Sequence, residues 1–199
     1  MIRLSIVAAA FIAFPVAAAP LDDVTAALCA TTTMTADFTQ TAGNGAVSTG
    51  KLVLSRPGRI RFSYDKLPLL VVADGKKLAF IDYEVSQVSE WPIASTPLGP
   101  LLAATPDLGR IARVTGSANG APQIEARDPK HPEYGTIAMA FARDAAAPTG
   151  LALTGWTSTD AQNNITEIRL TNVRYNAPVP ATSFAFRDPR TKRLPGKTF

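Results

Sequence analysis

The hexapeptide Arg59-Ile60-Arg61-Phe62-Ser63-Tyr64 alternates its side chains with a period of two, the repeat of a strand with one buried face. Ile60, Phe62 and Tyr64 fall on one side; Arg59, Arg61 and Ser63 fall on the other, which is expected to face solvent. On its N-terminal flank Arg56-Pro57-Gly58 interrupts the chain, separating this strand from another over 51–55. Further upstream Met34, Ala36, Phe38 and Gln40 alternate with Thr35, Asp37 and Thr39, a third strand, closed by the turn signal Gly43-Asn44-Gly45. On the C-terminal flank two short apolar runs, 69–73 and 78–81, enclose Asp74-Gly75-Lys76-Lys77, a hairpin signature. Strands are further expected over 85–91, 123–127, 136–141, 151–157 and 166–170. Asn163-Asn164 should turn the last hairpin, and Phe184 and Phe186 should close the sheet.

Helical signals are few. Residues 21–31 carry Asp22 and Asp23 in a first turn, with Val24, Ala27, Leu28 and Thr31 on one face. The β-branched run Thr31-Thr32-Thr33 ends that preference. Thr96-Pro97 is a cap followed by proline at a first helical position, leading into Leu98, Leu101 and Leu102. Thr105-Pro106-Asp107 starts a second short helix through Ile111. Many consecutive strands with two or three short helices predict an antiparallel sheet curled around those helices.

At the N-terminus Met1-Ile2-Arg3 is basic, 4–16 is almost wholly apolar, and Ala17-Ala18-Ala19 supplies small residues. This is the pattern of a cleaved export signal. The expected division is a signal over 1–18 and one domain over 19–199. Cleavage after Ala18 avoids placing Pro20 directly behind the cut. Of the 199 residues, 20 are Lys or Arg and 16 Asp or Glu. The signal removes Arg3 and no acid, leaving 19 basic against 16 acidic side chains, +3. That excess is spread along the chain and is not a nucleic-acid footprint. Its one concentration is a short C-terminal tail with Arg187, Arg190, Lys192, Arg193 and Lys197, suited to solvent, anionic headgroups or an acidic partner. Cys29 is alone, so no internal disulfide is expected. Leu28 before it is not the small residue that lipidation favours.

Reactive chemistry is sparse. His131 is the single histidine, set between prolines in Pro129-Lys130-His131-Pro132, with no nucleophile-elbow pattern. One histidine and one cysteine give no zinc spacing, and no glycine-rich phosphate loop opens a helix. No catalytic residue, metal site or cofactor is expected, and the chain is read as a non-enzyme.

Met34-Thr35-Ala36-Asp37-Phe38-Thr39-Gln40 resembles the first-strand motif of the periplasmic outer-membrane-lipoprotein carriers, the LolA family. The resemblance continues through Gly50-Lys51-Leu52, Arg56-Pro57-Gly58-Arg59-Ile60-Arg61-Phe62, Val72-Ala73-Asp74-Gly75-Lys76 and Thr96-Pro97-Leu98 with Leu101-Leu102, and Phe184-Ala185-Phe186 fits the ending. Met34 departs from the aromatic usual at that place, and the tail after Phe186 is short and basic. The resemblance implies a mainly β fold with short helices: an unclosed antiparallel half-barrel with a helical lid over a hydrophobic cavity. It implies a periplasmic, monomeric carrier of acylated lipoproteins, fed by an inner-membrane ABC-type release complex and emptied by an outer-membrane lipoprotein receptor where the lineage has one. A lipid-sensing regulatory module, or a carrier of another hydrophobe such as a glycolipid, is the alternative. The family's lid-latching arginine falls on Arg56. The cavity is expected to be lined by Leu52, Leu54, Ile60, Phe62, Tyr64, Leu70, Val72, Phe80 and Trp91, and the lid to carry Val24, Leu28, Leu98, Leu101 and Leu102. Periodicity alone favours a plain sandwich core for these residues, and only the resemblance reverses that preference.

Overall fold

The structure is a computed structural model that describes residues 20–96 and 98–190. The export signal, Pro97, Lys192, Arg193 and Lys197 lie outside the described residues.

Helix α1 (Pro20–Ala30) precedes β1 (Thr33–Ala42), β2 (Val47–Ser55), β3 (Arg59–Tyr64), β4 (Leu69–Asp74), β5 (Lys77–Asp82) and β6 (Gln87–Pro92). Two short helices follow, α2 (Leu98–Leu102) and α3 (Leu108–Ile111). The chain then forms β7 (Ala112–Ala118), β8 (Ala121–Ala126), β9 (Thr136–Arg143), β10 (Leu151–Thr159) and β11 (Ile165–Tyr175). Among the described residues these strands make one antiparallel sheet of eleven, in the order β6-β5-β4-β3-β2-β1-β11-β10-β9-β8-β7. The first and last strands are joined side by side through β1 and β11, whose register runs from Met34↔Tyr175 to Ala42↔Thr166.

The sheet is unclosed but strongly curled. From β3 to β10 is four strand steps, about 19 Å in a flat sheet. Yet Phe62 on β3 and Trp156 on β10 meet edge to face with ring centroids 6.1 Å apart. Phe62 also meets Phe38 at 5.4 Å, and Phe38 meets Tyr64 at 5.2 Å. These near-perpendicular pairs prefer such geometry and fill the inside of the curl. Gly50 makes room for them: a Cβ there would stand 2.7 Å from the Phe38 ring and 2.1 Å from Ser63 O.

Two apolar clusters share the concave side. One packs Val24, Ala27 and Leu28 of α1 with Leu101 and Leu108 against Ile124, Ile137, Met139, Phe141 and Leu151. The other joins Met34, Ala36, Phe38, Leu52, Leu54, Ile60 and Phe62 to Ile93 and Leu102. The amphipathic stripe of α1 is thus consumed by the β8–β10 half, and the helices after β6 sit between the halves.

A third cluster lies on the convex back. Leu70, Val72, Ala79 and Ile81 pack there against Phe184, with Val179 and Phe186 beside them. Phe184 and Phe186 were expected to close the sheet; instead the chain from 177 crosses the back of β3–β5 and turns as a 3-10 helix over Ala181–Phe184. Asn176 ties the start of this strap to the root of β1: its side chain accepts from Thr32 N at 2.9 Å and donates to Ala30 O at 2.9 Å. The arginine face of β3 is therefore not open to solvent. Arg61 Nη1 donates to Ser183 O at 3.2 Å and Ala185 O at 2.9 Å, and Arg59 stands over the Phe184 ring.

Three other departures share a cause. β7 has no counterpart in the sequence reading, β2 begins at Val47, not 51, and β11 runs on to Tyr175. β7 and the start of β2 are largely polar and exposed, and the continuation of β11 offers just Val173 and Tyr175 among polar neighbours, so a period-two reading has little apolar alternation to detect.

Candidate functional site

The turn Arg56-Pro57-Gly58 ends β2 and starts β3 at the end of the sheet where α2 lies. Gly58 adopts φ +70°, a left-handed conformation that glycine tolerates without penalty. A Cβ there would lie 2.9 Å from Gly75 Cα of the neighbouring hairpin. From this turn three hydrogen bonds reach the end of α2. Arg56 Nη1 donates to Leu101 O at 2.6 Å and to Ala103 O at 3.0 Å. The Gly58 N–H donates to Leu102 O at 2.8 Å. Leu101 O and Leu102 O are the last carbonyls of α2, which have no partner within it and favour a cation, and Ala103 O follows directly after the helix.

Beneath α2 is an apolar cavity of about 50 Å³. Leu28, Met34, Leu52, Leu54, Ile60, Leu98, Leu101, Leu102, Ile137, Met139, Leu153 and Trp156 line it with Arg56. Ligand pockets usually span about 300–1,000 Å³. With α2 seated, its Leu98, Leu101 and Leu102 form part of the wall of this small cavity. Burial pushes the Arg56 guanidinium's pKa down, with the nearby Cys29 opposing, but an arginine remains charged at any physiological pH. A larger concavity of about 500 Å³ sits on the back, between Asp37, Lys51, Asn172 and Arg174; it is polar and cannot replace water around hydrocarbon.

Of the expected cavity residues, Leu52, Leu54 and Ile60 line the space. Phe62 and Tyr64 face the same side and pack in the aromatic row beyond it. Leu70 and Val72 are corrections. Register places Ala73 opposite Ile60 and Val71 opposite Phe62, so Val71 and Ala73 face inward while Leu70 and Val72 belong to the back under Phe184. The run Leu69-Leu70-Val71-Val72-Ala73 is apolar on both faces, and periodicity could not choose between them. Phe80 and Trp91 are on the concave face but away from the closed cavity; Trp91, on the edge strand, is 49% exposed. Of the expected lid residues, Leu28, Leu98, Leu101 and Leu102 face the cavity. Val24 is wholly buried against the β8–β10 side and belongs to the fixed core.

The second half-sheet's contribution, Ile137, Met139, Leu153 and Trp156, escaped the sequence reading. Alternation of Ile137, Met139 and Phe141 was a usable signal, but nothing in sequence said that β9 faces β2 across the curl. The Gly58 bond was also missed; main-chain donors leave no trace in residue identity. Among the described residues no group of histidine, cysteine and carboxylates gathers to hold a metal, and no helix is long and apolar enough to cross a membrane.

Fold and site together define a lidded, unclosed half-barrel with an apolar interior. The profile of the family described as "Outer membrane lipoprotein carrier protein LolA" matches residues 30–187, and the chain belongs to that family. It is 30% identical over 193 residues to the outer-membrane lipoprotein carrier protein of Chromobacterium violaceum, covering 92% of this chain and 90% of that one. It is 31% identical over 171 residues to the carrier of Dechloromonas aromatica, covering 80% and 79%. Among solved structures it is similar to a DUF1329 family protein from Desulfovibrio piger, with TM-score 0.52, 10% identity and coverage of 83% and 95%. At that identity the likeness speaks for the fold alone.

Proposed function

We propose that this protein is a periplasmic carrier that shields the acyl chains of lipoproteins between the two membranes. It receives them from an inner-membrane ABC-type release complex and passes them to an outer-membrane acceptor. The observation that carries this reading is the apolar cavity under α2, whose cover is fastened by hydrogen bonds that are not part of the sheet ladder. Each acyl methylene is worth about 0.8 kcal/mol of burial, so a three-chain anchor holds on the order of 30 kcal/mol in the bilayer. A carrier must offer comparable apolar surface and must also give it back. Lifting α2 would expose Leu52, Leu54, Ile60, Met139 and Trp156 together, and the leucines of α2 itself. Reseating it would compete with the cargo for the same space. The lid's bonds favour the closed state, so they oppose loading and assist release.

Depletion of the protein tests the reading. Newly made outer-membrane lipoproteins should accumulate in the inner-membrane fraction; an unchanged distribution between the membranes rules the carrier function out.

A further inference from the structure

Arg56 is the single charged side chain among the residues lining the cavity. The two acceptors that its guanidinium reaches, Leu101 O and Ala103 O, both belong to the lid segment. Its Nε is buried and is reached by no acceptor among the described residues. A guanidinium carries five N–H donors, so this one is under-satisfied even with α2 seated. Lifting α2 removes both carbonyls and leaves a cation facing hydrocarbon, an arrangement that is unfavourable unless new acceptors arrive.

We propose that Arg56 is also the recognition residue for the polar head of the ligand. The ester or amide carbonyls of an acyl lipid take the places of Leu101 O and Ala103 O when the lid lifts. The inference rests on the acyl-carrier reading above and adds a selectivity to it: acyl lipids are preferred over hydrocarbon of equal length. A chain whose carbonyl meets Arg56 lays its methylenes over the paired Leu54 and Ile60, then over the paired Leu52 and Phe62. One guanidinium thus holds the lid when the cavity is shut and the head group when it is filled. The exchange lowers the barrier to opening for ligands that bring a carbonyl and for no others.

Two probes that differ only in a carbonyl, methyl laurate and dodecyl methyl ether, test this by displacing a fluorescent apolar reporter. The parent protein should prefer the ester by about tenfold, the equivalent of one charge-assisted hydrogen bond. In Arg56→Leu that preference should fall to about one, although the ether itself binds more tightly once the lid is freed; Arg56→Lys should retain part of it. Equal affinity of the parent for ester and ether overturns the proposal without reliance on any variant's folding. So does a preference that persists in Arg56→Leu, which would leave Arg56 a lid fastener alone. Failure of both probes to bind the parent overturns the acyl-carrier reading as well. A second arm separates the sources of such carbonyls: a diacylglyceryl-cysteine lipopeptide should displace the reporter at lower concentration than a phosphatidylethanolamine of equal chain length. The reverse order overturns the assignment to lipoproteins.

Discussion

Arg56 and Arg61 stand five residues apart and hold covers on opposite sides of one sheet. Each uses Nη1 to reach two main-chain carbonyls: Arg56 those of Leu101 and Ala103 on the concave side, Arg61 those of Ser183 and Ala185 on the back. What lies beneath differs. Under the strap, Phe184 fits onto Leu70, Val72, Ala79 and a fully buried Ile81. Under α2 there is a gap, and the leucines around it also contact residues of both half-sheets. The same polar device therefore secures a seal anchored by a buried phenylalanine on the back and a cover of leucines around an apolar gap on the concave side.

Phe184→Ala attacks the seal and should have the largest effect. Truncating a buried phenylalanine costs about 3–5 kcal/mol, a fall in Tm on the order of 10 °C for a domain of this size. Thermal or urea unfolding reads it, and affinity of the folded fraction for an apolar probe should not change. A loss of affinity would show that the two covers are coupled. Ile60→Glu attacks the other side. A carboxylate on the cavity wall meets hydrocarbon unpaired or must be neutralised, so probe affinity should drop about a hundredfold while circular dichroism keeps its strand signature. Collapse of the fold would mean that the concave side is ordinary core.

The two arginines should separate more finely. Arg56→Leu should raise the affinity for dodecyl methyl ether by about tenfold and slow its release, by shifting the population toward lifted lid. The gain is limited because the Gly58 N–H still holds Leu102 O. Arg61→Leu should lower stability by about 1 kcal/mol and leave affinity alone. Identical phenotypes would erase the distinction between seal and lid. The smallest expected effect is on pH dependence at the β4–β5 turn. Main-chain N–H groups of Lys77 and Lys76 hold the Asp74 carboxyl below its ordinary 3.8. Because the folded value is depressed, its contribution is present above about pH 4 and is lost as pH falls through the folded pKa. Asp74→Asn keeps an acceptor and should flatten that part of an acid-unfolding curve.

In the β1–β6 half, β1 and β3 were legible because they alternate cleanly, and the strands were marked off by distinct turns: Gly43-Asn44-Gly45, Arg56-Pro57-Gly58, Asp74-Gly75. Arg56 was singled out by resemblance alone, since nothing in its local pattern points to Leu101 O and Ala103 O, the carbonyls it reaches. Leu70 and Val72 were misplaced because an all-apolar strand has no internal sign of which face is which; only pairing with Arg61 and Phe62 decides it. The strap was unreadable for a different reason. Phe184 and Phe186 look like strand residues, yet their position depends on carbonyls bonded to an arginine more than 120 residues earlier.

A sheet that stops short of closing leaves two edge strands, β6 and β7, each with one ladder of main-chain groups that no other strand pairs among the described residues. Such ladders are templates on which a second copy can add a strand. This chain interrupts both. β7 is bulged between Val114 and Gly116, which breaks the even spacing a docking strand needs. β6 ends at Pro92, which offers no N–H. Rims of this kind are poorer templates for edge-to-edge pairing than two long, even strands would be.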